Sequence, residues 1–215
     1  MKQLLFLLLP CCAMAQIEAP RLGVFIDQHN GLRPLFGLPG ALLPGPVAAE
    51  GVVSAAASRS HIVWKTADQI CIQENDHPAT CDSAPPASAL IAFDTAGRPA
   101  VIEFESDPPV IAVSFNYRIE NRDGVLVRVA YSDRSEMPLP GLSAPAFVQA
   151  DGSVIAMGGE SLVLRTPAGE DRTLLDRKVT RIEPLNDGLI LLDRASVLRL
   201  RDGTVFRLPH QEDEP

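Results

Sequence analysis

The side chains able to do chemistry are few and scattered. Four histidines, His29, His61, His77 and His210, are spread along the chain. Two stand close to a carboxylate, His29 after Asp27 and His77 after Asp76. An acid beside an imidazole orients the ring or raises its pKa, as in a general acid–base pair. Asp76, His77 and Asp82 also bring oxygen and nitrogen donors of the kind that hold a metal ion. Asp94, Glu103, Glu105, Asp107 and Glu120 supply carboxylates for glycoside hydrolysis, but such a pair works only at a set separation across a cleft. None of these neighbourhoods is a motif. The sequence contains no H-E-x-x-H, no G-x-S-x-G elbow and no P-loop. Solvated loops satisfy the same spacings, so no residue is assigned as catalytic, metal-binding or cofactor-binding. Glu103 and Glu105 are expected on one solvated strand face. The repeated Asp-Gly pairs lack the longer D-x-[DN]-x-[DN]-G calcium pattern and are turn formers.

The cysteines carry a clearer message. Lys2, the apolar run Leu4 to Leu9 and Ala13-Met14-Ala15 follow the order of a secretory signal, so residues 1–15 are expected to be removed and Gln16 to begin the mature chain. The apolar run is far shorter than the roughly 20 residues of a membrane span. Pro10 stands directly before Cys11, where a lipid-modification site has a small residue, which favours ordinary secretion over a lipid anchor. Cys11 and Cys12 leave with the leader. The remaining pair, Cys71 and Cys81, is expected to form a disulfide in a periplasmic or extracellular protein. Closing that loop restricts the unfolded chain by about 3 kcal/mol in the chain-entropy model.

Composition narrows the partners. The 215-residue chain has a formal charge of −8, with its acids dispersed apart from the tail Glu212-Asp213-Glu214. No basic patch alternates with aromatics, so nucleic acid is not an expected partner. Trp64 is the one tryptophan, which argues against a sugar-binding platform of stacked rings. No cofactor is expected.

These residues have to be positioned by strands. Turn signals recur at Asn30-Gly31, Asp94 to Gly97, Asp123-Gly124, Asp151-Gly152, Gly169, Asp187-Gly188 and Asp202-Gly203. Between them lie short apolar runs. Val125, Val127, Val129 and Tyr131 share one face of a strand, with Leu126, Arg128 and Ala130 on the other. Leu189 to Leu192 has no polar face and is expected to be buried on both sides. A near-repeat sets the ruler: Asp151-Gly152 with Ser161 to Arg165 recurs about 35 residues later as Asp187-Gly188 with Ser196 to Leu200.

That ruler parses residues 16–210 as one domain, followed by an acidic tail at 211–215. Two four-stranded units fall at Ala146 to Leu175 and Thr180 to Leu208. A third spans Ser88 to Tyr131, with Asn116 to Arg122 as an insertion. A fourth spans Gly51 to Ala84, its first strand at Val52 to Ala57. An N-terminal hairpin, Leu22 to Asp27 and Leu32 to Phe36, precedes a Pro/Gly linker at Gly37 to Pro46.

The Asp-Gly-turned units from Ala146 to Leu208 resemble those of exported bacterial β-propeller repeat proteins, a likeness of architecture extending weakly over residues 22 to 208. The resemblance implies an all-β array of about four four-stranded antiparallel blades plus the hairpin, and it transfers no site residue. A β-sandwich or barrel is the alternative. Two functions follow: a non-catalytic exported scaffold presenting loops to a protein or small-molecule ligand, or a propeller hydrolase or lyase with acid–base or metal groups in a central channel.

Overall fold

The computed structural model describes residues 21–38, 41–75, 77–185, 188–193, 196–201 and 204–207. The leader 1–15, Gln16, Asp76, Asp187, Asp202-Gly203, His210 and the tail 211–215 lie outside the described residues. Every described element is a β-strand. The chain lays down its sheets one after another, each antiparallel and in sequence order. The first sheet holds β1 (Arg21–Ile26), β2 (Leu32–Leu38) and β3 (Ala41–Pro44). The second holds β4 (Ser54–Ala57), β5 (His61–Lys65), β6 (Gln69–Glu74) and β7 (Thr80–Ser83). The third has two strands, β8 (Ala89–Phe93) and β9 (Pro99–Phe104). The fourth holds β10 (Val110–Val113), β11 (Tyr117–Arg122), β12 (Val125–Ala130) and β13 (Glu136–Leu139). The fifth holds β14 (Ser143–Val148), β15 (Val154–Gly158), β16 (Ser161–Arg165) and β17 (Asp171–Leu175). The sixth holds β18 (Arg181–Leu185), β19 (Gly188–Leu192), β20 (Val197–Arg201) and β21 (Thr204–Arg207).

The first strands of the sheets form a ring. β1 lies against β4, β4 against β8, β8 against β10, β10 against β14, β14 against β18, and β18 returns to β1. This is a β-propeller arrangement, with five blades of three or four strands and one of two among the described residues. Local chemistry supports each turn. Asp123 and Gly124 both take positive φ, 51° and 85°, as a two-residue hairpin joining right-twisted strands requires.

The blades pack through apolar faces. Val24 and Leu32 of the first meet Ile62, Trp64 and Cys71 of the second. Ile119, Leu126 and Leu139 of the fourth meet Val148, Val154 and Ala156 of the fifth. Ile155, Met157 and Leu162 of the fifth meet Leu189, Leu191, Leu198 and Leu200 of the sixth. Leu189, Ile190 and Leu191 are all buried, so β19 is covered on both faces. Polar ties hold the third blade to the second. Ser54 Oγ accepts the Ala89 amide, and Ser58 Oγ donates to the Gly97 carbonyl at 2.6 Å.

Three expectations are corrected. The segment expected to be a linker, 37–46, contains β3, whose Pro44 is tolerated because β3 is an edge strand. Asn116 to Arg122 is not an insertion but β11, an internal strand of the fourth blade. Its alternation was hidden because Arg118, Glu120 and Arg122 put charge where a core-facing strand ordinarily puts aliphatics. The stretch Ser88 to Tyr131 is therefore divided between two blades, and the fourth blade runs on to Leu139.

Candidate functional site

The strands around the ring end in turns that surround a cavity of about 620 Å3. Its walls come from β4, β8, β10, β14 and β18, through Ala57, Ile91, Phe93, Val113, Phe147 and Leu185 among others, with Phe115 at the mouth. Among the described residues the lining has one carboxylate, Asp94, and one cation, Arg59. Asp94 is occupied by its own turn: Oδ1 accepts the amides of Ala96 and Arg98, each at 2.9 Å, and Oδ2 accepts Arg98 Nε at 2.9 Å. The Arg98 amide, then its side chain and the Ala96 amide, hold this carboxyl below its ordinary pKa. Ser114 Oγ takes the Tyr117 amide at 3.2 Å and donates to the Tyr117 carbonyl. Phe115 stands 42% exposed beside it. The chemistry directed into the mouth is thus mainly apolar.

The other candidate residues are dispersed. Asp27 closes the turn after β1, accepting the amides of His29 and Gly31 and, at 2.7 Å, Arg33 Nε. The Arg33 bond foremost, and then the Gly31 amide, lower its pKa to about 2. His29 is exposed in the same turn, and neither residue lines the cavity. His77 is exposed in the β6–β7 loop with Nδ1 3.1 Å from the Glu74 carbonyl oxygen, and Asp82 is exposed on β7. The Nδ1 atom of His61 lies 2.9 Å from Ser60 Oγ. Asp27, His29, His77 and Asp94 therefore do not converge. Cys71 and Cys81, directly opposite each other on β6 and β7, are joined by a disulfide with a sulfur–sulfur distance of 2.01 Å.

Two of the carboxylates meet where sequence spacing gave no sign of it. Glu120 is buried on β11, and each of its oxygens is held side-on by a guanidinium. Arg118 Nε donates to Oε1 and Arg122 Nε to Oε2, both at 2.7 Å. Arg122 continues to Glu136 on β13 through two bonds of 2.8 and 2.7 Å. Arg118 reaches back to Glu103 on β9 at 3.4 Å, and the Tyr131 hydroxyl donates to the same carboxylate at 3.0 Å. Burial, then the bond to Glu103, pushes the Tyr131 phenol above its ordinary pKa. Glu103 is therefore not on a solvated face. It ties the third blade to the fourth, while Glu105 lies beyond the end of β9 and is exposed. The sequence signal was the charge alternation Arg118, Glu120, Arg122 itself.

The fold is shared with known propellers. A streptogramin B lyase aligns over 91% of this chain and 85% of its own, at 14% identity and a TM-score of 0.55. PorZ, a bacterial surface component of the type-IX secretion system of Porphyromonas gingivalis, aligns over 90% of this chain but 32% of its own, at 12% identity and a TM-score of 0.56. No family model and no curated protein matches the chain. At such identities the likeness speaks to the fold alone.

Proposed function

We propose that this chain is an exported, non-catalytic β-propeller that binds a ligand or a partner loop at the apolar mouth of its channel. The observation that carries the reading is the cavity of about 620 Å3 with aliphatic and phenyl walls. The one carboxylate among its described lining residues, Asp94, is consumed by turn hydrogen bonds. Burying apolar surface is worth about 25 cal/mol per Å2, and a concave apolar pocket is the usual form of a small-molecule site. Export is supported by the disulfide, by the leader-like residues 1–15 and by the surface location stated for PorZ. A hydrolase or lyase requires acid–base groups aimed into the channel. Asp94, fixed by Arg98 and two amides, gives that alternative less support than the apolar walls give binding.

The test is titration with 1-anilinonaphthalene-8-sulfonate, whose fluorescence rises in apolar sites. Saturable binding to native protein is expected, weakened at least tenfold by Phe115→Asp or by Ala150→Trp, both at exposed lining positions. Binding unchanged in both variants would place the dye elsewhere and remove the reading.

A further inference from the structure

The third blade ends after two strands, and this leaves β9 in an unusual position. In the other blades the second strand is internal and carries buried side chains: Leu32 and Leu35 in β2, Ile62 to Lys65 in β5, Ile119 and Glu120 in β11. β15 has four buried residues and β19 has three. β9 has none, and Ala100 is exposed. Among the described residues its one sheet partner is β8. The far edge of β9 therefore presents a row of main-chain donors and acceptors beside half-exposed Val101, Ile102 and Phe104. Such an edge is a template for another strand.

The register identifies the walls of the slot. Ser54, Lys65, Ile70 and Asp82 stand opposite one another across the second blade, and Ser54 bonds the third blade, so this row faces β9. Ile70 is half-exposed and Asp82 exposed. Across the slot, Arg122, Val125 and Glu136 share the fourth-blade face that reaches Glu103. Val125 is 45% exposed. The two guanidiniums on this face, Arg118 and Arg122, are both committed to Glu120. Lys65 is fully buried and donates to the carbonyls of Thr66 and Ala67. The exposed carboxylates Asp82, Glu105 and Asp107 have no such counter-charge among the described residues.

We propose that the open edge of β9 docks an extended segment of a partner protein in which aliphatic and basic side chains alternate. Added as a third strand, such a segment turns its cations to the second-blade wall that carries Asp82 and its aliphatics to the fourth-blade wall that carries Val125, since side chains alternate with a period of two. Its main chain satisfies the free edge, and its cations meet the excess of carboxylates.

The probe is a soluble peptide of alternating valine and lysine, compared with its glutamate-for-lysine analogue and with one carrying proline at its centre. Anisotropy measures affinity, and hydrogen–deuterium exchange locates the site. The valine–lysine peptide is expected to bind at least tenfold more tightly than either analogue and to slow exchange within residues 99–104. Glu105→Lys with Asp107→Lys should cost at least tenfold, whereas Phe115→Asp should change nothing, which separates this edge from the channel mouth. Equal binding by the proline peptide, or protection confined to the channel mouth, overturns the proposal. So does protection of 99–104 that rises with protein concentration alone, which would make the occupant a second copy of the chain.

Discussion

Removing the Glu120 charge should destabilise the fourth blade. Its side chain is 3% exposed and is gripped on both oxygens, by Arg118 and by Arg122 at 2.6 Å each. Glu120→Gln keeps the shape and deletes the charge. Two guanidiniums are then left facing each other across an amide, with Glu103 and Glu136 as their remaining acids. Breaking a fully buried ion pair from one side costs about 3–5 kcal/mol. Arg118 and Arg122 are 22% and 36% exposed, so water recovers part of that loss and about 2–3 kcal/mol is the appropriate figure. In a chain of this length each kcal/mol lowers Tm by roughly 2–4 °C, which gives a fall of about 4–12 °C. Urea unfolding followed by Trp64 fluorescence should show a lower midpoint with an unchanged slope. Replacing Arg118, Glu120 and Arg122 together by methionine should recover most of the loss, because apolar substitutes remove the desolvation cost as well as the attraction. A cost below about 0.5 kcal/mol for Glu120→Gln would refute the argument and make the ladder a solvated surface cluster.

Asp27→Asn tests the turn after β1. With a folded pKa of about 2 against about 4 in the unfolded chain, Asp27 contributes fully above about pH 4, and the contribution disappears as pH falls towards 2. Tm measured across that window should therefore fall less steeply in the variant, and parallel curves would count against the turn's role. Cys71→Ser with Cys81→Ser should lower stability by about 3 kcal/mol for a loop of this length. The native protein should also migrate faster without reductant than with it, and equal migration together with free-thiol labelling would contradict the bridge. Gly188→Ala places a Cβ against the Leu200 carbonyl oxygen, in main chain that cannot yield without parting β19 from β20. A cost of about 1–3 kcal/mol by thermal unfolding is expected, and a neutral effect would show that this strand pair adjusts freely.

The turn chemistry and the apolar strands were legible from sequence because each is local. Asp123-Gly124 needs two positive φ values, and Leu189 to Leu191 need cover on both faces; both needs are visible in a few neighbouring residues. The four-stranded units at residues 143–175 and 181–207 followed from the same signals. β11 was missed because its period of two is written in charge, and the ion pairs that make Glu120 tolerable in the interior come from β9, β11 and β13. β3 was missed because Gly37, Pro39 and Pro44 signal a linker, while an edge strand tolerates what a central strand does not. The cavity was not legible at all. Phe93, Phe115 and Phe147 belong to three blades, and no local spacing brings them together.

The ring has two places where it could be weak, and they are weak in different ways. One is the seam where its ends meet. Propellers often reinforce such a seam by building one blade from both chain ends, but among the described residues the first blade is wholly N-terminal and the sixth wholly C-terminal. Close packing joins them instead. A Cβ at Gly23 of β1 would lie 3.0 Å from Leu185 Cδ2 of β18, so the two strands meet closely enough that a larger residue there would require the Leu185 side chain to shift. The other is the third blade. The three apolar clusters lie between the first and second blades, the fourth and fifth, and the fifth and sixth. None includes a residue of β8 or β9, whose buried contribution is two alanines, Ala89 and Ala92. Serine hydroxyls and the Glu103 carboxylate hold that blade in place. Each such bond is worth about 1 kcal/mol net, against several for a packed apolar face. A chain selected only for a rigid ring would gain by covering β9 with two more strands, as the second and fourth blades do. Leaving the edge open and rimming it with Asp82, Glu105 and Asp107 forgoes that burial, and the charges also keep identical edges from pairing with one another.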